Sequence, residues 1–188
     1  MPRQPRLQVP GGIYHVTSRG NRRQPTFLEP DDHRFHLWCL NKIAAECEWT
    51  CHSFCHMPNH FHLLLRTAKP NLSYGMQRLN GLYAQVFNNR HGLTGHVFQG
   101  RFHSAPVEAD SHLIELARYI VLNPVRAGLC EHPLEWRWSS CRATIGIVDK
   151  PDFLEFEWLL GQFGRDRQEA QRRFFAFVED GIGRPRKC

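Results

Sequence analysis

Residues 49–66, WTCHSFCHMPNHFHLLLR, decide the fold of this chain. The segments 49–56 and 60–66 are both rich in aromatic and apolar residues that favour strands. Met57-Pro58-Asn59 separates them, and Pro-Asn is a favourable turn sequence. The stretch therefore predicts a β-hairpin and, with it, an antiparallel sheet.

Strands and helices alternate on either side of this hairpin. Apolar periodicity predicts a strand at 13–17, a helix at 31–47, a helix at 73–89, a strand at 102–107 and a helix from 110 to about 123. Asp31 or Asp32 would cap the first helix. Pro106 places the last strand at a sheet edge or ends it early. Pro124 should end the last helix near Asn123, because a residue before proline avoids helical backbone angles.

The apolar faces of these helices predict the core. They comprise Phe35, Trp38, Cys39 and Ile43 in the first helix, Met76, Leu79, Tyr83, Val86 and Phe87 in the second, and Leu113, Leu116, Ala117 and Ile120 in the third. The element order predicts an α+β sandwich, an antiparallel sheet covered by helices on one side.

The C-terminal part differs in character. Residues 131–146 lack a clear period and are predicted to be irregular, 151–180 to form a small helical appendage, and 181–188 a basic tail. We therefore expect one domain over 1–146, followed by an appendage and tail over 147–188.

Composition narrows the class of protein. With 188 residues, 41% hydrophobic and 22% charged, the chain is ordinary for a globular protein, which excludes a disordered or fibrous one. The net charge is +6, and most of the 24 basic residues are arginines, whose forked guanidinium matches phosphate geometry. Charge alone leaves two alternatives open, a nucleic-acid-binding protein and a basic enzyme of another kind.

Location and redox state follow from what the sequence lacks. The N-terminal residues have no apolar signal segment, and no apolar run approaches the length of a membrane helix. We expect a cytoplasmic protein with reduced thiols and no membrane partner. The seven cysteines include no CxxC pair, yet a zinc site near Cys51 and Cys55 remains an alternative.

The segment His60-Phe61-His62 is a candidate metal site. Side chains alternate along a strand, so His60 and His62 point to one face and Phe61 to the other. Two imidazoles about 7 Å apart on a strand can bind one divalent metal. The alternative is a pair of solvent-facing histidines.

The last helix supplies a candidate nucleophile. Tyr119 and Asn123 are four residues apart and therefore share a helix face. A tyrosine hydroxyl beside a metal can attack a phosphodiester, and the amide oxygen of Asn123 can complete a metal shell. The alternative is that Tyr119 packs in the core and Asn123 only ends the helix. The remaining tyrosines are less suited, since Tyr14 and Tyr83 are expected in the core and Tyr74 near a helix start.

Four motifs together resemble a known family. MPNHFHLLL at 57–65 resembles the HUH strand of single-tyrosine transposases, and RYIVLNPVRAG at 118–128 resembles the helix that carries their nucleophile. GHVFQGRF at 95–102 and Trp138-Ser139-Ser140 resemble two further signatures of the family. The likeness is greatest to the REP-associated tyrosine transposases and runs from about residue 11 to 146.

The resemblance implies a structure and an activity. The fold would be a ferredoxin-like or RRM-like sandwich with a central antiparallel sheet. The activity would be cleavage and rejoining of single-stranded DNA at hairpin-associated repeats through a 5′-phosphotyrosine, by a monomer or a homodimer. Tyr119 would be the nucleophile, and His60, His62 and Asn123 would hold Mg²⁺ or Mn²⁺. Related transposases often have glutamine at the position of Asn123. The side chain of asparagine is one methylene shorter than that of glutamine.

DNA contacts would come from the basic segments. The candidates are Arg3, Arg6, Arg19, Asn21, Arg22, Arg23, Gln99 and Arg101, which suit phosphate or base-edge contacts. Three alternatives stay open: a non-catalytic single-stranded nucleic-acid-binding module, a metal-dependent nuclease that uses water, and a zinc-stabilised regulatory protein.

Overall fold

The computed structural model describes residues 8–107 and 110–183. Within them, one antiparallel sheet contains β1 (Ile13–Arg19), β2 (Trp49–Met57), β3 (His60–Thr67) and β4 (His103–Pro106). The strand order is β2-β3-β1-β4. Helices α1 (Pro30–Cys47) and α2 (Leu72–His91) connect the strands, giving the βαββαβ sequence of a ferredoxin-like sandwich. The α+β class and the antiparallel sheet are confirmed.

The predicted hairpin forms, and it contains one irregularity. Met57 pairs with His60, so Pro58 and Asn59 form the two-residue connection. The pairing shifts register between Cys51 and Ser53. Because directly paired residues share a face, Cys51 lies on the face of Leu65 and Cys55 on the face of His62. The bulge therefore puts the two cysteines on opposite faces of the sheet.

Helices cover both faces of the sheet, not one as predicted. The ring of Phe61 lies 4.4 Å from that of His36 in α1, whereas the ring of His62, next in sequence, lies 5.9 Å from that of Tyr119 in α3 (Asp110–Arg126). The physical reason is the run Leu63-Leu64-Leu65, which is fully buried and so requires cover on both sides. α3 supplies the second layer.

The predicted stripe of α1 is wrong at one position. The helix begins at Pro30, and the carboxylate of Asp32 accepts hydrogen bonds from the backbone N–H groups of Leu28 and Glu29. Trp38 is 53% exposed and stacks on Phe35 at the surface. The buried stripe is rotated and consists of Asp32, His33, His36, Cys39, Leu40, Ile43, Ala44 and Cys47. Three polar side chains therefore occupy places that an apolar pattern does not indicate.

The predicted end of α3 near Asn123 is also wrong, since the helix passes through Pro124 to Arg126. A proline has no N–H to donate to the carbonyl four residues earlier, here that of Ile120. The side-chain amide of Asn123 replaces that donor, since its Nδ2 lies 3.4 Å from the oxygen of Ile120 and 2.9 Å from that of Tyr119. The side chain of Asn123 thus helps the helix to continue.

The C-terminal segments pack against the outer edge of β2. His56 N donates to Trp138 O and Ser140 N to Phe54 O, at 2.8 and 3.0 Å. Further along, Glu155 N donates to Cys51 O at 2.8 Å. α4 (Cys141–Thr144) lies before the predicted boundary, in the stretch predicted to be irregular, whereas α5 (Glu157–Gly161) and α6 (Arg167–Glu179) lie in the appendage. Apolar side chains of all three helices join the main core. The segments on either side of the predicted boundary at 146 both pair with β2, which leaves little of this strand edge open.

A buried aromatic and histidine cluster lies between α1 and the sheet. His33 Nδ1 lies 3.2 Å from His56 Nδ1, and the ring of Phe27 stacks on both at 4.4 and 4.5 Å. His36 packs edge-on against His56 at 4.6 Å and is fully buried. Burial, with a further effect from His33, lowers the pKa of His36 to about 3. These histidines are therefore neutral in the folded protein near neutral pH.

No helix in the described part of the chain is both long and apolar enough to cross a membrane.

Candidate metal and nucleic-acid site

The two histidines of β3 lie side by side on the face covered by α3. Their ring centroids are 4.9 Å apart, and Phe61 between them points to the opposite face. His62 is buried, at 6% exposure, while His60 is half-buried. The alternation of the strand thus places both imidazoles where they could bind the same ion.

His60 is neutral and has a defined tautomer. Burial, followed by the charge of Arg19, lowers the pKa of His60 to about 4. Its Nδ1 lies 2.7 Å from Oδ1 of Asn59, whose own amide nitrogen donates to the carbonyl of Arg23 at 3.1 Å. A carbonyl oxygen accepts, so His60 Nδ1 carries the proton and Nε2 carries the lone pair. Metal-binding histidines typically have this second hydrogen bond.

His62 is held by a residue that the sequence did not indicate. Its Nδ1 lies 2.9 Å from Nε2 of His15 on β1, and the two rings are near-parallel with centroids 5.1 Å apart. His15 pairs with Leu64, which makes it a diagonal neighbour of His62 on the same face. A lone histidine in β1 gives no such signal, because the contact depends on the register between β1 and β3.

Tyr119 stands against this pair of imidazoles. Its ring centroid lies 5.9 Å from that of His62 and 6.2 Å from that of His15, and its plane is nearly perpendicular to both. The guanidinium carbon of Arg126 lies 5.2 Å from the Tyr119 ring centre. This is a cation–π arrangement, in which the guanidinium is attracted to the face of the ring. α3 thus brings a tyrosine and a cation to the histidine face.

The other tyrosines lie elsewhere. Tyr14 and Tyr83 are buried in the core, at 1% and 0% exposure, and the Tyr83 hydroxyl donates to the carbonyl of Thr26. Tyr74 is 57% exposed on α2, where Arg78 lies over its ring. Both predictions of core tyrosines are confirmed.

Asn123 is oriented by its own helix. Because Nδ2 donates to two helix carbonyls, Oδ1 is directed away from them and remains the atom that could accept or coordinate. Among the residues that the structure describes, no three His, Cys, Asp or Glu side chains come together as a metal site. An amide oxygen such as Asn123 Oδ1 is one of the ligand types that hard divalent cations accept.

A cavity of about 260 Å³ opens beside the histidines. It is lined by Thr17, Arg19, His60, His62, Gln99, Gly100, Arg101 and His103. Three of the predicted DNA contacts, Arg19, Gln99 and Arg101, are thus brought next to the two imidazoles. Thr17 and His103 also line the cavity and were missed, because only the pairing of β1 with β4 brings them together.

The predicted DNA contacts at positions 21–23 lie in an adjoining turn. Gly20 N donates to Asn59 O and Asn21 N to Val97 O, both at 2.8 Å, so the turn is fixed to the start of β3 and to the segment before Gln99. Arg22 and Arg23 are exposed and have left-handed backbone angles, with φ of 52° and 60°. Arg3 and Arg6 lie outside the described residues. The turn carries three polar or basic candidates beside the cavity.

The cysteines in the described part of the chain do not form a zinc site. Cys39, Cys47, Cys51 and Cys55 are buried, and burial raises the pKa of the Cys51 thiol to about 12. Zinc binds the thiolate, which such burial disfavours. Together with the opposite faces of Cys51 and Cys55, this gives the zinc-stabilised alternative no support.

Comparisons with known proteins agree with this arrangement. The family model described as IS200-like transposase matches residues 8–123, more than half of the chain. The structure of a REP-associated tyrosine transposase bound to a REP hairpin superposes with a TM-score of 0.66 at 18% identity, covering 84% of this chain and 96% of that one. At this identity the likeness shows a shared fold.

Two further comparisons add less. The crystal structure of a candidate transposase from Deinococcus radiodurans R1 has a TM-score of 0.42 at 17% identity, covering 64% of this chain and 94% of that one. No curated protein sequence matches the chain.

Proposed function

Because the chain belongs to the IS200-like transposase family, we propose that it is a metal-dependent endonuclease that cleaves and rejoins single-stranded DNA through a covalent bond to Tyr119. The observation that carries the proposal is the contact of the Tyr119 ring with His62, in a site that also holds His60 and the arginine-lined cavity. A candidate nucleophile, candidate metal ligands and candidate phosphate-binding groups thus lie close together, which supports the proposal.

The proposed ligands are His60 Nε2, His62 Nε2 and Asn123 Oδ1. The donor set suits a divalent ion: an amide oxygen is a ligand type that Mn²⁺ or Mg²⁺ prefers, while imidazole nitrogens also accept other divalent first-row metals. When bound, such an ion polarises a phosphate oxygen and offsets charge in the transition state. The protein's contribution is to hold the ligand atoms in place through Asn59, His15 and the carbonyls of α3.

The covalent step is a displacement at phosphorus. The Tyr119 hydroxyl releases its proton to water, and its oxygen forms a bond to phosphorus while the bond from phosphorus to the 3′ oxygen breaks. The leaving oxygen takes a proton and becomes a free 3′-hydroxyl, and the 5′ end stays attached to Tyr119. Reversal, with a 3′-hydroxyl as the nucleophile, rejoins DNA and releases the phenol. The phosphodiester energy is retained in the phosphotyrosine, so no nucleotide cofactor is required.

The DNA would approach from the cavity and its adjoining turn. Arg19 and Arg101 can bind phosphates or guanine edges, and Gln99 can bind a base. The structural relative bound to a REP hairpin supports a hairpin-associated substrate for this chain. In this proposal the protein acts on its DNA in the cytoplasm. It does so as a monomer or a homodimer.

The test is formation of a covalent protein–DNA adduct. Labelled hairpin oligonucleotides, taken from repeats that flank the native gene, are incubated with protein and Mn²⁺ and run on a denaturing protein gel. We expect a shifted band that EDTA and Tyr119→Phe both abolish. Tyr74→Phe is the matched control, because it removes an exposed tyrosine hydroxyl on α2, on the opposite side of the sheet.

The other outcomes favour other functions. Cleavage that persists in Tyr119→Phe without an adduct would favour a nuclease that uses water. Tight binding without cleavage of any flanking repeat would favour the non-catalytic binding module.

A further inference from the structure

The contact between His15 and His62 joins two strands through their side chains. His15 lies on β1 and His62 on β3, and the 2.9 Å between His15 Nε2 and His62 Nδ1 is a hydrogen-bond distance. The rings lie within 14° of parallel. His15 belongs neither to the proposed metal ligands nor to the proposed DNA contacts.

The contact has two alternative proton arrangements with opposite chemical consequences. If His62 carries its proton on Nδ1, it donates to His15 and its Nε2 has a lone pair. If His15 donates instead, His62 Nδ1 is the acceptor and the proton of a neutral His62 lies on Nε2, where it blocks coordination. Only the first arrangement allows His62 to bind a metal through Nε2.

The geometry points to His15 as a positioning residue that holds His62 in the Nδ1–H tautomer and so presents Nε2 to a divalent cation. The inference rests on the proposed metal site. Asn59 does the same for His60, since its Oδ1 lies 2.7 Å from His60 Nδ1. Both imidazoles of the strand would thus have their Nδ1 occupied, one by an amide oxygen and the other by a histidine nitrogen. Such outer partners fix the orientation of a metal-bound histidine.

Two substitutions of His15 distinguish the effect of its hydrogen-bond acceptor on His62 from the effect of its ring packing. His15→Phe keeps a flat ring against His62 but removes the acceptor nitrogen. His15→Gln removes the ring but places an amide oxygen at similar reach, which can accept from His62 Nδ1. His132→Ala is the control, because it also removes a histidine, but one that contacts Glu179 of α6 and not His62.

The first measurement uses metal-free protein and does not depend on activity. Nitrogen-15 NMR of the imidazoles gives the tautomer of His62 directly. We expect Nδ1–H in the wild type, in His15→Gln and in His132→Ala, and a shift toward Nε2–H in His15→Phe. A wild-type His62 with its proton on Nε2 would overturn the inference, whether or not any variant folds.

The second measurement is Mn²⁺ affinity by calorimetry of the full chain. Loss of an outer partner weakens metal binding by about 10- to 100-fold, which is the expected effect of His15→Phe. His15→Gln should recover most of the affinity, and unchanged affinity in His15→Phe would contradict a positioning role. If the wild type binds no Mn²⁺, the metal dependence in the proposed function is wrong. The NMR comparison of wild type and His15→Phe still tests whether His15 determines the tautomer of His62.

Discussion

The ring of Tyr119 stands at 87° to the ring of His62, with centroids 5.9 Å apart. The two residues come from different layers, since β3 carries His62 in the sheet and α3 carries Tyr119 over it. The contact requires α3 to pack on the face opposite α1 and α2. It brings the tyrosine of α3 next to a histidine of β3.

Replacing His60 should remove metal binding without unfolding the protein. His60 is half-buried at the edge of the cavity, so His60→Ala leaves the core intact. Loss of a direct ligand should weaken Mn²⁺ binding by more than the roughly 100-fold that loss of an outer partner causes. Calorimetric titration measures the effect, with His132→Ala as the control. Retention of full affinity in His60→Ala would remove His60 from the site.

Replacing Asn123 should have two effects at once. Asn123→Ala removes the donor that serves the carbonyls of Tyr119 and Ile120, and should lower the free energy of unfolding by about 1 kcal/mol. It should also weaken Mn²⁺ binding if Oδ1 is the third ligand. Urea unfolding and calorimetry separate the two effects. Lower stability with unchanged affinity would show that the amide serves the helix alone.

Arg19 should contribute to DNA affinity mainly through charge. Its side chain lines the cavity beside His60, so Arg19→Ala should weaken binding of single-stranded DNA and reduce the slope of log affinity against log salt by about 1. Fluorescence anisotropy at several salt concentrations gives that slope. Arg172→Ala, which removes an exposed arginine paired with Glu169 of α6, should leave it unchanged. Equal slopes in Arg19→Ala and the wild type would exclude a phosphate contact.

The buried histidine cluster should make the fold sensitive to acid. Burial lowers the pKa of His36 to about 3 and that of His33 to about 4, from an ordinary 6.5, and also lowers the pKa of His56. Folded pKa values below the unfolded ones mean that the unfolded chain binds protons first. The stability present above pH 6.5 is therefore lost progressively as pH falls toward 4 and then 3.

A variant of the buried histidine cluster tests the direction of this pH dependence. Each histidine that is neutral when folded and protonated when unfolded contributes a slope of about 1.4 kcal/mol per pH unit. His36→Leu removes one such group, so its unfolding free energy should depend less steeply on pH between 6 and 4.5 than that of the wild type. Denaturant unfolding at several pH values measures it. Parallel curves would show that His36 does not carry the acid sensitivity.

The parts of the fold that depend on local pattern could be predicted from the sequence. The hairpin followed from its turn residues, and the shared face of His60 and His62 from the alternation of a strand. The run Leu63-Leu64-Leu65 also carried a signal for cover on both faces, although the predicted sandwich had helices on one. Tyr119 and Asn123 were predicted to share a helix face, and α3 confirms that.

The rest depended on relationships between elements. His15 joins the site through the register of β1 with β3, and Thr17 and His103 through the pairing of β1 with β4. The end of α3 was misjudged because the side chain of Asn123 compensates for Pro124. Trp38 was misplaced in the core because polar side chains, among them His36, occupy the buried stripe of α1 instead. None of these features can be predicted from the spacing of residues within a single segment.

The most direct test of the account is the site of covalent attachment. After reaction of the full chain with a cleavable hairpin oligonucleotide and Mn²⁺, the adduct is digested and the modified peptide is sequenced by mass spectrometry. We predict a 5′-phosphodeoxynucleotide on the oxygen of Tyr119 and an equal amount of released DNA with a free 3′-hydroxyl. Attachment at Tyr14, Tyr74 or Tyr83, or cleavage that leaves all four tyrosines unmodified, would contradict the account.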